Sequence, residues 1–132
     1  METYDEKFDF RDKRNLSLVT DFYELTMSQC YFNAPDANKI VTFDLFYRRN
    51  PDNGGFAIFA GLEQIIGFIQ NLHFEDEDIA YLKSLNKFSD EFLDYLRHFI
   101  FTGDVYAVPE GTPVFPNEPL VRVKAKIIEA QL

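Results

Sequence analysis

Apolar and polar positions follow two different periods along this chain, and each change of period predicts a new element. Between Thr20 and Asn33, apolar side chains recur every three or four positions, which is typical of a helix with one apolar face. The members of that face are Tyr23, Met27, Cys30 and Tyr31. Thr20 or Asp21 can cap this helix, and Pro35 lies just beyond its end.

The next segment, from Ile40 to Tyr47, alternates between two faces, which is the period of a β-strand. Its apolar face carries Val41, Phe43, Leu45 and Tyr47. Turn residues fill positions 50–55, and a short buried strand at 56–60 leads through Gly61 into a second helix. The predicted apolar face of that helix consists of Leu62, Ile65, Ile66 and Ile69.

Two more helices are predicted in the middle of the chain. The acidic run Glu75–Asp78 precedes apolar positions at helical spacing, so it marks the solvated start of a helix over 75–85, where negative charge is favoured. Ser89 caps the following helix. The positions of that helix expected to face inward are Phe92, Leu93, Leu96 and Phe99.

Strand character dominates beyond Gly103. The segments 105–108, 112–115 and 120–125 are separated by proline-containing turns, which is typical of a small antiparallel unit. We expect residues 104–126 to pack against the helices at 61–71 and 89–99, because each segment alone would leave an apolar face exposed.

This order of elements predicts an α+β fold in which helices pack on an antiparallel sheet. Residues 1–15 are charged and aromatic without a period, and we interpret them as a tail or arm. Residues 16–132 form the folded domain. The last residues, Ile127–Leu132, resemble a helix start with no terminating signal, so we expect the chain to be a piece of a longer protein.

Composition narrows the class of protein. The length of 132 residues with 46% hydrophobic residues fits one globular domain, and a net charge of −9 disfavours general binding to nucleic acid or an anionic membrane. No apolar run approaches the roughly 20 residues that span a bilayer, and the N-terminus lacks the order of a signal peptide. A single Cys30 cannot form an internal disulfide, so we expect a cytoplasmic protein.

Few residues match templates for metal binding or nucleophilic catalysis. His73 and His98 are far apart and lie beside aromatic residues, so we interpret both as partly buried residues at helix ends. Cys30 lies on the apolar face of its helix, where a structural thiol is favoured over a reactive one. The glycine patterns of common nucleotide-binding loops are absent from the sequence. No metal site is predicted.

Two segments carry candidate binding chemistry. In Thr20–Met27, an acid and an aromatic residue share the first turn of a helix, and the alternative reading is a cap with a packing aromatic. In Phe46–Arg49, two arginines end a strand before a glycine-rich turn. The planar guanidinium suits phosphate or carboxylate, and the alternative reading is a surface ion pair with the acidic middle of the chain.

Four blocks in register give the chain a family resemblance. They are Thr20–Tyr23, Phe43–Pro51, Gly55–Glu63 and Pro109–Leu120. Together they resemble the N-terminal part of nicotinate phosphoribosyltransferases over residues 16–132. The resemblance implies the N-terminal α/β sandwich-like domain of a type II phosphoribosyltransferase, with the barrel domain of the family beyond Leu132.

The resemblance also implies a function. The family comprises cytoplasmic enzymes of NAD salvage that join nicotinic acid to phosphoribosyl pyrophosphate, with ATP hydrolysis coupled to the reaction. The products are nicotinate mononucleotide and pyrophosphate. Mg²⁺ accompanies phosphoribosyl pyrophosphate and ATP, and the enzyme is a homodimer with shared active sites.

Residue roles follow the matched motifs. By resemblance, Tyr23 reaches across the dimer interface to cover the pyridine ring, with Asp21 nearby, and an electron-poor ring is expected to stack offset on a phenol. Arg48 matches an arginine that contacts substrate phosphate, and Arg49 is assigned beside it. The catalytic histidine of the family lies beyond Leu132, so no catalytic residue is assigned within the chain, and the isolated fragment is expected to be inactive.

Two alternatives remain at this point, and a third is disfavoured. A related enzyme could use nicotinamide, or the domain could be a non-catalytic oligomerisation module of the same fold. The hairpin at 109–123 also resembles half of a lipoyl or biotin carrier, but a carrier needs a lysine at its tip and this chain has Pro116–Pro119 there.

Overall fold

The computed structural model describes residues 15–132, so the tail or arm predicted at 1–15 lies almost wholly outside the described residues. The helices are Phe22–Phe32 (α1), Leu62–Asn71 (α2), Asp76–Ser84 (α3), Asp90–Arg97 (α4) and Ile127–Gln131 (α5). The strands are Ile40–Leu45 (β1), Ala57–Ile58 (β2), Asp104–Ala107 (β3), Pro113–Val114 (β4) and Val121–Lys126 (β5). This arrangement confirms the predicted α+β class.

The strands form two antiparallel sheets. In the first, β5 lies between β1 and β3, so that Val123 pairs with Phe43 on one side and with Val105 on the other. In the second, β4 pairs with β2. The antiparallel unit predicted at 104–126 is therefore confirmed for β3 and β5 only. Alternation identifies a strand but not its partner, and here β4 and the far edge of β5 pair with strands from the first half of the chain.

The helices enclose the larger of two hydrophobic clusters. Its buried members are Leu25, Leu72, Phe74, Ile79, Leu82, Phe92, Leu93, Leu96 and Phe99. Phe92 is fully buried, and its ring lies 5.7 Å from that of Phe32 and 5.8 Å from that of Phe88. All four inward positions predicted for α4 are buried.

A second cluster connects the two sheets to α2. Phe59, Val114 and Val121 are its buried members, and Leu62 and Ile65 of α2 pack against it. The predicted packing of the strands on the helix at 61–71 is confirmed. The predicted packing on the helix at 89–99 is wrong, because the buried residues of that helix all belong to the helical cluster. Ile66 was expected to face inward but is 43% exposed.

Helix α1 is oriented differently from the prediction. Its buried residues are Leu25 and Ser28, whereas Tyr23, Met27 and Cys30 are exposed. The helix is apolar on several sides, so periodicity alone did not select the inner face. The expectation of a structural thiol at Cys30 on a buried face is therefore wrong.

The predicted strand bounds also change. β1 ends at Leu45 instead of Tyr47, and its burial does not alternate, because Phe43 and Leu45 are 42% and 53% exposed. The short buried strand expected at 56–60 is reduced to Ala57–Ile58, with only Phe59 of that segment buried.

The N-termini of α3 and α4 begin as the sequence predicted. The Asp78 carboxylate accepts the Glu75 backbone N–H at 2.8 Å, which confirms the acidic run as a helix start. The Ser89 hydroxyl accepts the Phe92 N–H at 3.2 Å and caps α4 as predicted.

Helix α5 begins where the sequence predicted a helix start. Its Glu129 side chain is buried and accepts the Thr102 backbone N–H at 2.7 Å, and the Lys126 ammonium lies 3.4 Å away. Burial, with a smaller effect of the Glu129 charge, raises the pKa of Tyr95 above its ordinary value. The buried acid thereby fastens α5 to the loop between α4 and β3.

Candidate functional site

The first candidate segment lies at the N-terminus of α1. Asp21 occupies the N-cap position, and its backbone carbonyl accepts the Glu24 N–H at 3.0 Å. Its carboxylate is exposed and makes no capping hydrogen bond within residues 15–132. The reading of Asp21 as a side-chain cap therefore has no support in the geometry.

Tyr23 presents its ring to solvent from the first turn of α1. The side chain is 55% exposed, while the preceding Phe22 packs edge-on against Phe88 with ring centres 5.8 Å apart. A hydrogen bond to Glu24 and the negative charges of Glu24 and Asp21 raise the pKa of Tyr23, with a contribution from desolvation. Tyr23 thus remains a neutral phenol at physiological pH, anchored through its neighbour and available for stacking.

The second candidate segment follows β1. Arg48 and Arg49 are exposed, and neither forms an ion pair or a side-chain hydrogen bond with another residue of the described part of the chain. Other arginines behave differently: Arg97 lies 3.2 Å from Asp76, and Arg122 lies 2.7 Å from Asp44. The alternative of a surface ion pair with the acidic middle is not found for Arg48 or Arg49.

The backbone around the two arginines is firmly held. The Leu45 carbonyl accepts the Leu120 N–H at 2.8 Å, and the Tyr47 carbonyl accepts the Asn117 N–H at 2.8 Å. The Tyr47 hydroxyl lies 2.8 Å from both the Val114 carbonyl and the Asn50 side-chain oxygen. Sequence reasoning placed Tyr47 only on an apolar face, because a contact 67 residues away leaves no local signal.

One ion pair extends this attachment into the sheet. The Arg122 guanidinium donates to both carboxylate oxygens of Asp44, at 2.7 and 2.9 Å. This bidentate contact holds the pKa of Asp44 below its ordinary value. The strand that leads to the arginine pair is thus fixed by side chains as well as by its ladder.

The structure groups the four candidate residues into two separate pairs. Asp21 and Tyr23 lie on the helix that packs in the helical cluster, whereas Arg48 and Arg49 follow Tyr47, which packs against the second cluster. Within residues 15–132, no hydrogen bond or ion pair joins one pair to the other. A depression of about 710 Å³ on the outer face of the first sheet contains none of the four.

Metal and nucleophile chemistry has little basis in the described residues. His73 and His98 lie at helix ends as predicted, but both side chains are exposed instead of partly buried. The hydrogen bond to the Asn71 carbonyl raises the pKa of His73, burial opposes this effect, and the nearby Glu75 carboxylate adds to the rise. Within residues 15–132, no three His, Cys, Asp or Glu side chains converge as a metal site.

None of the described helices is long and apolar enough to cross a bilayer.

The chain is similar to several known proteins in both sequence and structure. The family model of the nicotinate phosphoribosyltransferase N-terminal domain matches residues 18–132. A nicotinate phosphoribosyltransferase of Mycobacterium tuberculosis is 46% identical over 88% of this chain, and one of Bacillus subtilis is 42% identical over 96%. The crystal structure of human nicotinic acid phosphoribosyltransferase matches 85% of this chain with a TM-score of 0.76 and 34% identity.

The match covers only part of each relative. The chain spans about a quarter of the length of these proteins: 25% of the mycobacterial protein, 26% of the Bacillus protein and 23% of the human chain. The similarity therefore concerns their N-terminal domain.

Proposed function

Because this chain belongs to the nicotinate phosphoribosyltransferase family, as its N-terminal domain, we propose that the whole protein joins nicotinic acid to phosphoribosyl pyrophosphate. The products are nicotinate mononucleotide and pyrophosphate, and ATP hydrolysis is coupled to the reaction. The protein works in NAD salvage in the cytoplasm, as a homodimer with shared active sites.

The observation that carries this proposal is the exposed arginine pair at the end of β1. Arg48 and Arg49 are exposed and unpaired within residues 15–132, in a chain of net charge −9. Two exposed guanidinium groups on a turn held by backbone hydrogen bonds favour an anionic ligand such as the phosphates of phosphoribosyl pyrophosphate. Arg48 is assigned to phosphate contact, with Arg49 beside it.

The second part of the proposed site lies on α1. Tyr23 covers the pyridine ring of nicotinic acid, which the exposed and neutral phenol supports. Asp21 orients a group that contacts substrate, since its carboxylate makes no capping bond within the described chain. Because the two pairs of residues lie on separate parts of the domain, each pair acts with groups contributed from outside the described chain.

Magnesium enters this proposal with the substrates. Mg²⁺ binds the pyrophosphate of phosphoribosyl pyrophosphate and ATP, and phosphate oxygens are its usual ligands. No residue of this domain is assigned to the metal, because the described residues offer no converging donor set.

A substrate assay of the full-length protein tests the function. With phosphoribosyl pyrophosphate and Mg²⁺, with and without ATP, we expect nicotinate to be converted to its mononucleotide and nicotinamide to be left unchanged, as measured by chromatography. Conversion of nicotinamide in preference to nicotinate would favour the related nicotinamide enzyme. Conversion of neither substrate would favour a non-catalytic domain of the same fold.

A further inference from the structure

The Tyr47 hydroxyl links the segment of the arginine pair to the neighbouring strand. Its oxygen lies 2.8 Å from the Val114 carbonyl oxygen and 2.8 Å from the Asn50 side-chain oxygen. A phenol has one proton, and a carbonyl can only accept, so the hydroxyl donates to Val114. The Asn50 Oδ1 is the atom that faces the hydroxyl, and turning this amide by 180° places its NH₂ group there as a donor, so that both contacts become hydrogen bonds.

The contact between Tyr47 and Asn50, here called the bridge, joins the two residues that flank the arginine pair. Tyr47 directly precedes them and Asn50 directly follows them, so one hydroxyl fastens both ends of a four-residue segment. The Tyr47 backbone is fixed as well, through the bond from the Asn117 N–H. Arg48 and Arg49 remain exposed between these attachment points.

Asn50 has no other role in the described structure. It precedes the 3₁₀ turn at Pro51–Asn53 but its side chain makes no capping hydrogen bond there. The contact with Tyr47 is the one hydrogen bond that its side chain makes within residues 15–132. Asparagine often caps helices, but the Asn50 side chain contacts the Tyr47 hydroxyl instead.

We infer that Tyr47 and Asn50 are positioning residues for Arg48, and that their bridge sets the affinity for the phosphate-bearing substrate. This inference rests on the proposed function, in which Arg48 contacts phosphoribosyl pyrophosphate. Holding the backbone on both sides of Arg48 reduces the conformational freedom that is lost when the guanidinium binds phosphate. The Tyr47 ring packs on the second cluster, so removal of its hydroxyl leaves that packing in place.

The test is a double-mutant cycle in the full-length enzyme. Tyr47→Phe is expected to raise KM for phosphoribosyl pyrophosphate about 3- to 10-fold, the effect of one lost hydrogen bond, with kcat and KM for nicotinate unchanged. Asn50→Ala should also raise KM for phosphoribosyl pyrophosphate, and it leaves Tyr47 unchanged. This second variant keeps the test valid if Tyr47→Phe folds poorly. Tyr106→Phe is the matched control, since Tyr106 is 57% exposed on β3 and is placed outside the site.

Arg48→Ala completes the cycle. It distinguishes a failure of the positioning inference from a failure of the assignment of Arg48 to phosphate contact. If Tyr47 acts through Arg48, adding Tyr47→Phe to Arg48→Ala raises KM no further. If Arg48→Ala raises KM but Tyr47→Phe and Asn50→Ala do not, or if the effects are additive, the positioning inference is wrong and the proposed function stands. If Arg48→Ala leaves KM unchanged, the assignment of phosphate contact is wrong, and the inference falls with it.

Discussion

Substitution of Tyr23 tests substrate binding with little expected effect on the stability of the protein. It is 55% exposed, so Tyr23→Ala should leave the melting temperature of the full-length protein almost unchanged. If the ring covers the pyridine, the same change should weaken the use of nicotinate by about 1–3 kcal/mol in kcat/KM, whereas Tyr23→Phe should cost much less. Steady-state kinetics with varied nicotinate and a thermal melt measure the two quantities.

The matched control for this prediction is Tyr81→Ala. Tyr81 is 57% exposed on α3 and is placed in no site, so its removal should change neither kinetics nor melting. A fall in melting temperature for Tyr23→Ala with kcat/KM unaffected would identify Tyr23 as a packing residue.

Individual residues were predictable from sequence only where their chemistry is local. Ser89 as a cap and the acidic run at Glu75 follow from nearest neighbours along the chain, and both were confirmed. Tyr47 was assigned to an apolar face because its polar contact is with Val114, 67 positions away. Cys30 was misplaced because several sides of its helix are apolar, so that the period fits more than one inner face.

Helix α2 is capped by a residue from a distant turn. The Glu110 carboxylate accepts the N–H of Gly61 at 2.8 Å and that of Leu62 at 2.9 Å, and Gly61 adopts a φ of +107° that favours glycine. A charged cap at a helix N-terminus satisfies two free donors and interacts favourably with the helix dipole. Glu110→Ala should therefore lower the free energy of unfolding by on the order of 1–2 kcal/mol.

Two further variants test whether the cap causes the expected decrease in the free energy of unfolding. Glu110→Gln keeps one accepting oxygen and removes the charge, so we expect a smaller decrease in the melting temperature of the full-length protein. Glu118→Ala removes an exposed acid from the next turn, where no side-chain hydrogen bond is found within residues 15–132, and should have no effect. Equal melting of the Glu110→Ala and Glu118→Ala variants would refute the role of the distant cap.

The elements themselves were easier to predict than their partners. Each helix and strand in the described chain falls within a few residues of its predicted place, because local periodicity encodes it. The pairing of β4 with β2 was missed, since the contacts that specify it join Phe59 to the turn at Gly111 and Thr112. Hydrogen bonds between distant segments leave no period in the sequence.

Many large apolar side chains are exposed in the part of the chain that the structure describes. Phe22, Tyr23 and Met27 are exposed along α1, and Phe43, Leu45 and Phe46 are exposed along and after β1. Exposed apolar groups in this number are typical of surfaces that another domain or subunit covers. The chain also spans only about a quarter of the length of its relatives, which have further residues available to cover such surfaces.

Mixed dimers test whether the proposed site is shared between subunits. A Tyr23→Ala full-length subunit is combined with one that lacks the catalytic histidine implied by the family resemblance in the downstream barrel domain. If Tyr23 serves the site of the other subunit, each hybrid dimer regains one intact site. An equal mixture then recovers about a quarter of the wild-type sites, because half of the dimers are hybrids.

A site contained within one subunit gives a different result. Each hybrid would then hold one site without Tyr23 and one without the histidine, and activity at limiting nicotinate would not exceed that of the unmixed variants. Subunit exchange is verified with two different affinity tags, and an unexchanged mixture sets the baseline. No gain in activity after verified exchange would refute the shared site and leave Tyr23 as an ordinary packing aromatic.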